Sequence, residues 1–180
     1  ALELGGADPA RPETLGREAW RMAGKGGRDR LAAALTPDEA AAAGSPGGLG
    51  LDLELAAVKP PTLHDRDGWI DFGPAGGSYY YSRTAMTASG TLDLGGQRRN
   101  VSGTAWFDHQ WGDFIAVGGG GWDWFAVNLA DGTDLSLSLV RAMDGSYPLV
   151  YGTIVDAGGQ SRHLERSAFR VTVADRWRSP

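Results

Sequence analysis

From Leu49 onward the chain alternates apolar and polar residues with a period of two. Successive side chains of an extended chain point to opposite sides, so this alternation predicts strands with one face buried. "LGLDLEL" (49–55) sets leucines against Gly, Asp and Glu. "SYYYSRTAMTASGTLDL" (78–94) is long enough for one bent strand or two, and Gly95 and Gly96 turn it back into "RNVSGTAWF" (99–107). "GWDWFAVNL" (121–129), "DLSLSLVRA" (134–142) and "YPLVYGTIVD" (147–156) follow, joined by "ADGT" and "MDGS", and "AGGQ" leads into a last run from Ser161. Asp-Gly and Gly-Gly pairs supply the positive φ that tight hairpin turns need. "KPPTLHDRDGW" (59–69) reads as a loop, because Pro60 and Pro61 cannot donate to a sheet ladder, and "AVGGGG" (116–121) reads as another.

About seven strands without a helical spacer imply an antiparallel meander, which hides its edges by closing into a barrel or packing as a sandwich, the barrel being favoured. The expected fold class is therefore all-β, an antiparallel barrel over 49–165. The chain ends in "DRWRSP" without a strand that would finish a barrel, so an incomplete barrel is expected. Residues 1–48 differ, being rich in Ala, Gly, Arg and Pro, and read as irregular apart from one short helix at 36–43. There Thr36 is placed as N-cap, Pro37 at the first helical position, Glu39 completes a capping box and Gly44 lies beyond the end.

The charge of -5 and pI near 5.1, with Lys and Arg scattered, argue against nucleic acid or an anionic membrane as partner. With 42% apolar residues and mean hydropathy -0.27, a soluble chain is expected. No run approaches the roughly 20 apolar residues of a membrane helix, and no signal segment is evident at the start. The absence of cysteine excludes disulfides, thiolate metal sites and a cysteine nucleophile. Neither a P-loop, a dinucleotide fingerprint nor a Gly-x-Ser-x-Gly elbow occurs, so nucleotide and usual serine-hydrolase chemistry lack support.

"GTAWFDHQWGDF" (103–114) is the densest chemistry in the chain. Period two sends Ala105, Phe107, His109 and Trp111 to one face and Thr104, Trp106, Asp108 and Gln110 to the other. If the Phe107 face is the interior, His109 and Trp111 line a cavity, where an imidazole beside an indole can move protons and shape an apolar substrate. From spacing alone, a hydrogen-bonded histidine at the barrel mouth with Trp111 as a plug is the favoured reading. Asp108 points away from His109 unless a bulge re-aims it, and Asp113 reads as a turn-capping carboxylate.

In "GWDWF", Trp122 and Trp124 share one face and Asp123, Phe125, Val127 and Leu129 the other. Asp123 is expected either to project inward as a desolvated acid or to pair with Arg141 on the neighbouring strand. Tyr79 and Tyr81 share a face as packing or binding aromatics. His64 and His163 are expected to be solvated, and three dispersed histidines suggest no metal site.

The blocks "LDLEL…KPPTLHDRDGW", "SYYYSRTAMTASGTLDLGGQRRNVSGTAWFDHQWG", "GWDWFAVNLADGTDLSLSLVR" and "ERSAFRVTVADRWRSP" resemble, in order and spacing, the lipocalin-like family of carotenoid 1,2-hydratase (hydroxyneurosporene synthase) and of bacterial proteins named as secreted hydrolases. The resemblance runs from about Leu49 to Pro180. It implies two lipocalin-like barrels in tandem, this chain holding most of the first, with 166–180 leading into a missing second. It further implies a hydrophobic, isoprenoid-like small molecule as ligand, acid-catalysed hydration across a C=C bond or related lyase or hydrolase chemistry without a cofactor, and a periplasmic, secreted or membrane-associated protein. Under it His109 and Trp111 become the proton-handling and cation-stabilising pair, with Asp123 or Asp108 as carboxylate. Tyr79, Tyr81, Phe107, Trp122, Trp124, Phe125 and Arg141 would contact substrate. The rival expectation is a non-catalytic carrier of apolar ligands.

Overall fold

A computed structural model describes residues 20–45, 47–114, 119–175 and 177–178. Among them strands dominate and one α-helix occurs, so the fold is the expected antiparallel all-β class. Among the described residues the strands form two sheets, neither closed on itself: one of seven strands ordered β1-β2-β3-β6-β4, with β5 and β7 also on β6, and one of four ordered β11-β10-β9-β8. No helix among the described residues is long and apolar enough to cross a membrane.

The chain divides into two compact units, Ala1–Lys59 with Ala85–Trp106, and Pro60–Thr84 with Phe107–Pro180. Both long strands, β6 (Gly76–Leu94) and β7 (Gln97–Phe114), contribute to each.

In the first unit β1 (Trp20–Lys25) and β2 (Arg28–Leu35) form a hairpin, and β2 pairs with β3 (Leu49–Ala57). β3 in turn pairs with the second half of β6, Leu49 opposite Leu94 and Ala57 opposite Met86. Arg30 on β2 grips Asp52 on β3 through Nε (2.9 Å) and a second nitrogen (2.7 Å), a two-pronged cross-strand pair on the exposed face. The helix α1 spans Pro37–Ala42 with Thr36 and Glu39 closing the expected capping box. β1 and β2 lie in the segment expected to be irregular. β1 is exposed at all but Met22, and β2 mixes exposed, buried and partly covered residues, so no clean apolar alternation marks either.

In the second unit the short strands β4 (Thr62–Leu63) and β5 (Trp69–Asp71) pair with the first half of β6. The four-stranded sheet adds β8 (Gly119–Asn128), β9 (Asp134–Ala142), β10 (Leu149–Val155) and β11 (Ser161–Leu164), joined by the glycine turns expected from sequence. Ile70, Tyr80 and Tyr151 form its buried apolar cluster, with Phe72 and Leu149 against it. The expected glycine loop at 116–121 falls partly outside the described residues, while Gly119 and Gly120 already belong to β8.

Candidate acid-base site

β6 and β7 are regular enough that alternation sorts their side chains into two sets. Tyr79 and Tyr81 on β6 join Phe107, His109 and Trp111 on β7 in one row of rings. Tyr79 stacks on Trp111 at 5.5 Å, Trp111 on His109 at 4.6 Å, and Tyr81 meets His109 edge-on at 5.5 Å. Trp69 extends the row beyond Tyr79 and Arg83 lies over Phe107. Tyr79 and Trp111 remain 50% and 40% exposed. His109 is half-buried, and its Nδ1 is buried with no hydrogen-bond partner among the described residues. Desolvation pushes its pKa down, so at neutral pH it is an uncharged imidazole and a poor acid.

The other set is polar and more deeply buried. His64 is fully buried, its Nδ1 2.9 Å from Thr153 Oγ1 and its Nε2 2.7 Å from Ser82 Oγ, and Ser82 donates its proton to Asp108 Oδ1. A serine hydroxyl has one proton, so with that proton on Asp108 the oxygen accepts from His64 Nε2–H. The Nδ1 then accepts from Thr153. All donors in the chain Thr153, His64, Ser82, Asp108 therefore point toward the half-buried carboxylate. Burial lowers the His64 pKa to about 4, which keeps the ring neutral. The ring also packs on Tyr80 at 4.1 Å.

Tyr80 and Tyr151 complete this set. Burial raises the Tyr80 pKa first, with the nearby Asp108 charge adding to it, and burial pushes Tyr151 up to about 12. The Trp124 indole donates to the Tyr80 hydroxyl at 3.0 Å, which turns the Trp124 side of β8 toward this set. In register with it stand Ser138 opposite Trp124 and Tyr151, and Ser136 opposite Thr153. Asp134 is likewise buried and accepts from Thr84 and Asn128, each at 2.6 Å. Gln110 donates to the buried Ser78 at 2.8 Å.

Three expectations change. The most deeply buried contacts of this unit lie on the Asp108 side of β7, not the Phe107 side, because hydroxyls and a histidine from neighbouring strands satisfy one another there. His64 is not solvated, since its loop contains the strand β4 and packs the ring under Tyr80. His163 is also largely covered, 3.3 Å from Asp65 and 3.6 Å from Glu165.

Asp123 does not join Asp108. Its side of β8 is opposite to that of Trp124, where Tyr147 donates to it at 2.7 Å and Arg141 lies 3.8 Å away. Arg141 also donates to the Gly120 carbonyl. Trp122 and Phe125 are exposed. Among the described residues no cluster of His, Asp or Glu could hold a metal ion. Sequence reasoning missed His64, and the available signal was the single imidazole inside "TLHDRDGW", a stretch otherwise read as proline loop.

A family model described as AttH-like matches residues 6–180. A crystal structure from Nitrosomonas europaea, described as a candidate AttH, is 28% identical with a TM-score of 0.70, and the alignment covers 82% of this chain and 44% of that one. Kievitone hydratase from Nectria haematococca shares the fold at 17% identity and a TM-score of 0.60, over 80% of this chain and 43% of its own. The chain thus spans less than half the length of either structure. No curated protein matches it significantly.

Proposed function

Since the chain belongs to the AttH-like family, we propose that it is part of a hydratase- or lyase-type enzyme acting on a hydrophobic, isoprenoid-like molecule, with Asp108 moving the proton. The observation that carries this reading is the aligned hydrogen-bond chain ending at Asp108. In its acid form Asp108 gives a proton to a substrate C=C bond and leaves a carbocation. The resulting carboxylate is held by the Ser82 hydroxyl as in this structure, and Tyr80 and Trp124 offer aromatic surface on the same side. Water then captures the cation and returns a proton to Asp108, so the cycle needs no cofactor. The name of kievitone hydratase supports hydration as the reaction class, and a second lipocalin-like domain elsewhere in a longer chain belongs to the same proposal.

The test is turnover by the full-length protein of kievitone and of an acyclic polyene, with the alcohol identified by mass spectrometry. Asp108→Asn lowers turnover on the order of a hundredfold or more, the usual worth of a general acid-base. Unchanged turnover removes Asp108 from the mechanism.

A carrier is the second reading, favoured by the exposed row of Trp69, Tyr79 and Trp111 on the side away from Asp108. It predicts that Trp111→Ala weakens polyene binding, measured by quenching of tryptophan fluorescence, while no product forms.

A further inference from the structure

Thr62 on β4 stands opposite Ser82 on β6, so the two side chains share a face. Thr62 is 1% exposed, and its hydroxyl has no hydrogen-bond partner among the described residues. Burying a hydroxyl unpaired costs about 1–3 kcal/mol, whereas a valine of the same shape costs nothing of the kind. Ser82 opposite it hands its proton to Asp108 and takes His64 Nε2–H.

Resting on the hydratase reading, we propose that Thr62 Oγ1 and Ser82 Oγ together hold the water molecule that is added to the substrate, beside the Asp108 carboxylate. Water bound in a protein interior needs two or more polar partners, and these two hydroxyls supply them on adjacent strands. In the capture step the water oxygen forms the new C–O bond to the carbocation. Its released proton passes to the Asp108 carboxylate, restoring the acid. Without a water held there, the cation sheds a carbon-bound proton to Asp108 instead and yields an isomerised alkene. Thr62 thereby decides between alcohol and alkene.

A crystal structure of the full-length protein is expected to show a water within hydrogen-bond distance of both oxygens, and Thr62→Val to lose it. With kievitone and the acyclic polyene, Thr62→Val lowers alcohol formation about tenfold, the equivalent of one hydrogen bond. The alcohol-to-isomer ratio falls with it, and Thr62→Ser restores both. If wild type makes alcohol but no water sits on Thr62, or Thr62→Val leaves the ratio unchanged, the proposal is overturned and the hydratase reading stands. If wild type makes no alcohol from either compound, both are overturned.

Discussion

At the scale of single residues, His64 is the one whose burial has a direct thermodynamic consequence. Its pKa lies near 4 in the folded chain against 6.5 in an unfolded one, so below pH 6.5 the unfolded state binds the extra proton. The stability contributed by a neutral His64 is complete above pH 6.5 and is lost as pH falls from 6.5 to about 4. A shift of this size corresponds to about 3 kcal/mol. Urea titrations across that range are expected to show the loss, and His64→Gln to flatten it. This residue was not legible in the sequence, where neighbouring prolines made its stretch look like solvated loop. Asp108 was legible as a carboxylate facing away from His109, but Ser82, which donates to it, lies 26 positions away, and Ser82 in turn is held by His64 18 positions off and His64 by Thr153 89 positions off, so no local pattern brings them together.

The elements themselves were easier to read. Each hairpin of the four-stranded sheet turns at the Asp-Gly or Gly-Gly pair that marks it, and α1 starts at the capping box that "TPDE" spells. Strands β1 and β2 escaped because β1 is mostly exposed and the burial of β2 follows no two-residue period, so neither leaves an apolar alternation in the sequence. One close approach fixes how β7 meets β6. A Cβ on Gly112, whose φ is +152°, would fall 2.7 Å from the Ser78 Cα and closer still to the Gly77 carbonyl. Gly112→Ala must then push apart the strands that carry Asp108 and Ser82. The expected cost is about 2 kcal/mol, read as a lower denaturation midpoint in urea. An unchanged midpoint would mean that β7 yields freely at this point. The Gly77 Cα has its own neighbour, the Trp69 ring, which leaves little space for a side chain there either.

For the molecule as a whole, the all-β class follows from alternation, but the direction of its faces does not. Alternation separates the Phe107 side from the Asp108 side without saying which is lined by partners. In the second unit hydroxyls, His64 and the Asp134 carboxylate are buried and Asp108 is half-buried, while aromatic rings such as Tyr79 and Trp111 stay exposed. That arrangement moves the candidate proton donor from His109 to Asp108 and gives the two residues separable roles. The most direct measurement is therefore the hydration rate of Asp108→Asn beside that of His109→Ala in the full-length protein, with kievitone and the acyclic polyene as substrates. The account predicts a loss on the order of a hundredfold for Asp108→Asn and a change of no more than about threefold for His109→Ala. A large loss for His109→Ala with Asp108→Asn near wild type would contradict it.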